Sequence, residues 1–180
     1  MKIDLDKLTI VHYPDPRLRT PCQSITHFGD WIDRLAERMR AILKESKGVG
    51  LAAPQVGLPI RLFIMNMTGE EKDAETFVNP VLRNLRGTIE AEEGCLSMPQ
   101  IHVQVRRAAT CTLSAQDARG NPVEMDGAEW RCRVWQHETD HLNGVLITDR
   151  MGPGDRIATR RQLMELERAF KATRAGASSL

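Results

Sequence analysis

Two imidazoles four residues apart, with a carboxylate directly after the first, carry the densest chemistry in this sequence. His137, Glu138 and His141 lie in "WQHETDHLNG" (135–144). On a helix, positions i and i+4 stand on one face about 6 Å apart, so both rings can reach one cation. Glu138 lies about 100° further round the same helix, beside that cation, where it suits a base that takes a proton from water. Coincidental spacing on an ordinary helix is the competing reading. The neighbours favour a site. Trp130, Val134, Leu142 and Val145 give the segment an apolar face, so burial is expected, and a buried face carrying His, Glu and His calls for an ion.

A catalytic zinc-type centre takes three protein ligands and keeps one position open. The extended pattern HExxHxxGxxH fails here: Gly144 is present, but Ile147 stands where the third histidine would be. Glu165 and Glu167 lie downstream among basic neighbours and read as surface charges. "EEGCLSMP" (92–99) is the better source. Cys95 follows a glycine at the end of a predicted strand, where a thiolate can project into a cavity, and a divalent cation holds it deprotonated. A His, His, Cys set suits zinc or ferrous iron by ligand softness. The other cysteines, Cys22, Cys111 and Cys132, read as small buried hydrophobes.

"KGVGLAAPQVG" (47–57) is the third unusual stretch. It lacks the Gly-Lys-Ser/Thr ending of a phosphate loop. Gly48 and Gly50 allow close backbone approach by a ligand. Gln55 offers a carboxamide that can donate to a developing oxyanion. A tight turn with a structural glutamine is the alternative.

Around these stretches the periodicity predicts the elements. Residues 30–46 read as a helix, with Trp31, Leu35, Met39 and Ile42 on one face, Asp30 as N-cap and Gly48 as stop. Strands are expected at 60–67, 75–82, 87–93, 101–107 and 109–116. A turn at "DARGNP" (117–122) and a short return strand follow. A helix runs from about Glu129 to Leu142, closed by Asn143-Gly144, with Gly144 left-handed. A last amphipathic helix covers about 154–174, with Ile157, Leu163, Met164, Leu166 and Phe170 as its apolar residues. The tail "RAGASSL" is expected to fray. Helix, antiparallel strands, then helix gives an α+β fold.

The 180 residues suit one domain, 1–180. Lys and Arg number 25 against 24 Asp and Glu, for a net charge of +1. That balance gives no reason to expect nucleic acid or an anionic membrane as partner. The first residues show no signal-peptide core and no transit-peptide bias, and no apolar run approaches membrane-spanning length. A cytoplasmic protein with reduced thiols is the expectation.

Taken together, "GVGLAAPQ" (48–55), "EGCLS" (93–97) and "QHETDH" (136–141) resemble the peptide deformylase family, in the same order and at compatible spacings from about Thr9 to Arg150. The resemblance implies antiparallel sheets around a central HExxH-bearing helix. It implies removal of the N-formyl group from the formyl-methionine of nascent chains. It places the metal ligands on Cys95, His137 and His141, the general base on Glu138, and the oxyanion donors on Gln55 and the Leu96 N–H. Iron as Fe(II) is the family's natural ion, with zinc, nickel or cobalt able to occupy the site. Substrate backbone is expected along Gly48, Val49 and Gly50, and Val49 and Val134 are candidates for the methionine pocket. Arg107 is expected to pair with Asp140. His102, Arg106, Trp135 and Ile147 depart from the family's usual residues, and His102 and Trp135 are expected on the substrate side. Some members dock on the ribosome through a C-terminal segment. Arg156, Arg160 and Arg161 permit that here, but a solvated helix face is the preferred reading. Two rivals stand beside the main reading: a zinc endopeptidase using the same helix, and a metal-binding or ribosome-associated module without catalysis.

Overall fold

The computed structural model describes residues 4–177, with side chains through Arg174. Helix α1 (Asp30–Glu45) buries Ile32, Leu35, Ala36, Met39, Ile42 and Leu43. Their spacing of three and four is what wraps an apolar stripe along one face. Trp31 sits at the edge of that stripe, only partly buried. The N-cap is Gly29, and Asp30 is the first helical residue, where its charge suits the positive end of the helix. The left-handed residue after the helix is Lys47 (φ 54) and not Gly48. Gly48 has another reason to be small: a Cβ there would lie 2.8 Å from Leu43 and Leu96.

Seven strands follow: β1 (Gly50–Ala52), β2 (Leu62–Met65), β3 (Glu75–Arg86), β4 (Ile89–Cys95), β5 (Met98–Arg107), β6 (Thr110–Gln116) and β7 (Pro122–Ala128). Five of them form one antiparallel sheet in the order β1-β2-β3-β6-β7, and β4 and β5 make a separate antiparallel hairpin. The predicted strands lie within this set. The exception is β1, inside the glycine-alanine stretch, where three residues offer too little alternation to read. In β5, Ile101, Val103, Val105 and Arg107 face inward and His102, Gln104 and Arg106 outward, the two-residue period of a half-buried strand. The β4–β5 register runs from Ile89↔Arg107 to Gly94↔His102 and then breaks, so that Cys95 pairs with Met98. Cys95 thus occupies the last position of β4 at an irregularity, a common device for re-aiming a side chain.

Helix α2 (Glu129–Leu142) packs on β1, β2, β3, β6 and β7. Trp135 is fully buried, with its ring 6.1 Å from that of Phe77, edge-on. Gly127 makes room for it, since a Cβ there would overlap the indole. Asn143 caps the helix and Gly144 is left-handed (φ 72), as predicted. Trp130 and Val145 depart from expectation: Trp130 is 47% exposed and Val145 half-buried. They lie at the two ends of the segment, outside the stripe that meets the sheet.

The predicted C-terminal helix is divided. After α3 (Ile147–Arg150) come α4 (Pro153–Ala158) and α5 (Arg160–Ala177), separated at Thr159. The Thr159 hydroxyl donates to the Asp155 carbonyl, 2.7 Å. Leu163 and Leu166 pack on the cluster of Met98, Ile101, Val103, Val105, Leu146 and Ile147. Ile157, on α4 before the division, and Met164, on the outer side of α5, are exposed instead. Arg174–Ala177, expected to fray, belong to α5, and residues 178–180 lie outside the described residues. Mixed helices with antiparallel sheets are the α+β class expected. No described helix is long and apolar enough to cross a membrane.

Candidate metal and active site

Two segments far apart in the chain, the end of β4 and helix α2, bring Cys95, His137 and His141 together, with their ligand atoms all within 4.8 Å of one another. Cys95 Sγ and His141 Nε2 are 3.3 Å apart. No fourth His, Cys, Asp or Glu joins the trio among the described residues. One sulfur and two imidazole nitrogens at this separation fit a small divalent cation of borderline softness with an open position. Glu165 and Glu167, the alternative third ligands, are elsewhere. Glu165 pairs with Arg161 on the surface, and Glu167 accepts from the Tyr13 hydroxyl at 2.8 Å.

A charged network fixes the first ring. His137 Nδ1 and Glu93 Oε2 are 3.0 Å apart, which leaves Nε2 free for ligation. Glu93 is itself gripped by Arg107 at 2.7 and 2.9 Å and by Arg133. Arg107 also donates to Asp140 at 2.7 Å, as expected, and Arg150 holds the other side of that carboxylate. Burial alone would raise the Glu93 carboxyl, but hydrogen bonds from His137 and Arg107 outweigh it and hold the group well below the usual range. Burial likewise opposes charge on His137, yet its bonds to Cys95 and Glu93 lift it to about 10. Burial, helped by the charge on His137, keeps His141 well below the ordinary imidazole value.

Glu138 is 3% exposed. Burial raises its carboxyl to about 7, and Oε2 has no hydrogen-bond partner. Its other oxygen lies against the Gly50 Cα, so that a Cβ at residue 50 would overlap the carboxylate. This contact is why the 48–50 stretch needs its second glycine. Gln55 follows β1 in a 3₁₀ turn, Ala53–Val56. Its Oε1 accepts from the Ala52 N–H at 2.9 Å, which turns Nε2 toward Ser97 Oγ (3.2 Å) and Cys95 Sγ (3.6 Å).

A cleft of about 440 Å³ joins these groups. Gly48, Val49, Gly50, Gln55, Cys95, Leu96, Val134, His137 and Glu138 all line it. His141 closes the trio beneath it, 1% exposed. His102 and Trp130 stand at the cleft as well. Trp135 does not: it is a core residue, because its position on α2 faces the sheet. Glu93 and Arg133 escaped the sequence reading. An acidic residue two before a candidate ligand, on the inward phase of its strand, was the available signal for Glu93. Arg133 had a helical offset of four from His137 and nothing else.

The family profile described as "Polypeptide deformylase" matches residues 7–156. A peptide deformylase of Acidobacterium capsulatum is 40% identical over 162 residues, covering 89% of this chain and 95% of the relative. One of a Thermotoga species is 40% identical over 160 residues, covering 88% and 96%. Among solved structures, a peptide deformylase of Plasmodium falciparum superposes with a TM-score of 0.90 at 37% identity, covering 92% of this chain and 98% of that one. The Thermotoga maritima enzyme gives 0.77 at 39%, covering 81% and 98%. A profile that spans most of the chain, and relatives of this identity and coverage, show that the chain belongs to the peptide deformylase family, metal-dependent hydrolases that remove the N-formyl group from nascent peptides.

Proposed function

We propose that the deformylation centre is the Cys95–His137–His141 trio with Glu138 beside it, within one catalytic domain, 1–180, whose central helix is α2. What supports this reading is one juxtaposition: a soft three-atom ligand set and a buried, unpartnered carboxylate in the same cleft. A divalent ion held by Cys95, His137 and His141 supplies Lewis acidity toward water and carbonyl oxygen. Ferrous iron is the ion proposed as native, with zinc, nickel or cobalt as substitutes.

The protein's own groups do the rest. Glu138 takes the proton from the attacking water at Oε2 and returns it to the departing amine. Gln55 Nε2 and the Leu96 N–H donate to the oxygen that gains charge at the formyl carbon. β1 pairs only with β2 among the described strands, so its other edge can take the substrate backbone along Gly48, Val49 and Gly50 as an added strand. Val49 and Val134 line the proposed methionine pocket. The walls of the cleft reject acyl groups larger than formyl by clash. A cytoplasmic setting and a ribosome contact through the exposed Arg156, Arg160 and Arg161 belong to the same proposal.

Glu138→Gln tests the centre. Formate release from a formyl-methionyl peptide should fall by about 10²–10⁴-fold, while metal content stays at the wild-type level. Turnover near the wild-type rate would remove Glu138 from the chemistry.

A further inference from the structure

Cys111 on β6 and Cys132 in the first turn of α2 bring their sulfurs to 2.9 Å. Both are free thiols, 3% and 0% exposed, and neither belongs to the Cys95–His137–His141 trio. As single residues in the sequence they read as buried hydrophobes, and only their pairing across the sheet–helix interface makes them chemically distinct.

We propose that Cys111 and Cys132 are a modification site, oxidised by a peroxide to an intramolecular disulfide that ties α2 to β6. One sulfur attacks a peroxide oxygen, the O–O bond breaks, and a sulfenic acid and water result. The second sulfur displaces that hydroxyl as another water while the S–S bond forms. In sum, two thiols and one hydrogen peroxide give one disulfide and two waters, so sulfur loses the two electrons that oxygen gains.

Distance decides between this and metal capture. Two thiolates around one soft ion, at about 2.3 Å each, would be driven apart from the observed separation, whereas a bond of about 2.05 Å needs an approach of less than about 1 Å. The helix end is also one that a tether suits. The N-cap of α2, Ala128, makes no side-chain cap bond, and Glu129 enters the helix from a left-handed conformation (φ 49). What holds this end is the bond from the Glu129 N–H to the Ala109 carbonyl, 2.8 Å, and the Gln136 side chain on Ala108 and Cys132. Burial keeps the Cys111 thiol above its ordinary range, so little thiolate is present and the oxidation is slow.

The experiment uses the nickel-loaded full chain, treated with dilute hydrogen peroxide, acid-quenched, unfolded, alkylated and mapped without reduction. Cys111 and Cys132 should lose alkylation together and appear in one cross-linked peptide. The midpoint of thermal unfolding should rise by about 5 °C and return on treatment with dithiothreitol. Cys111→Ala and Cys132→Ala should each abolish both signals. The proposal is overturned if both thiols stay alkylatable, if either pairs with Cys22 or Cys95, or if they oxidise singly to sulfinic acid. The map on the unmutated chain decides the matter even if a variant folds poorly.

Discussion

At the scale of single residues, the site depends on what its neighbours leave out. Gly50 has no side chain where the Glu138 carboxylate lies. Gly50→Ala therefore displaces that carboxylate, and a displacement of about 1 Å at a reacting group costs on the order of 10²-fold. The expected result is a kcat for formate release lower by about that factor, with metal content and far-UV circular dichroism unchanged. Glu93 is the converse case, since its presence neutralises its surroundings. It stands between Arg107, Arg133 and His137, all buried or nearly so. Glu93→Ala leaves buried guanidinium charge without its partner, which costs about 3–5 kcal/mol; urea unfolding should show the loss directly. The same change releases the His137 ring, so chelator competition should find metal affinity weaker by about 10–100-fold.

At the scale of elements, α2 joins the core to the chemistry. Its sheet-facing side carries Cys132 and Trp135, and its cleft-facing side carries Val134, His137 and Glu138. Trp135→Ala empties a fully buried position between Phe77 and Gly127 and should cost about 3–5 kcal/mol in denaturant unfolding. The hairpin β4–β5 presents Cys95 through a register break, and β1 presents the Gly50–Ala52 edge. These elements differ in how far they could be read in advance. The alternation of β5 and the stripe of α1 are strong local patterns. β1 has three residues, all buried, and exists because β2 pairs with it. The division at Thr159 is one that no periodicity announces.

At the scale of the whole molecule, the proposed ligands arrive from β4 and α2, while Gln55 arrives from a turn 40 residues before Cys95. An ion that binds only the assembled site stabilises the fold in proportion to its affinity. Removal of metal by a chelator should therefore lower the thermal midpoint, and nickel should restore it. A midpoint indifferent to metal would mean that the trio does not hold the ion.

The sequence alone singled out the residues proposed for the chemistry and the helix and strand that carry them, because helical and strand periods are local and so are a four-residue histidine spacing and a Gly-Cys strand end. Three ordered motifs then specified the family. The tertiary structure decided what those faces meet. It put Glu93 and Arg133 behind His137, took Trp135 away from the substrate side into the core, and set Trp130 at the cleft. It also brought Cys111 against Cys132. Such contacts join residues tens of positions apart, and which of them form depends on how the sheet and helices close over their apolar faces together, a property that no short stretch of chain contains.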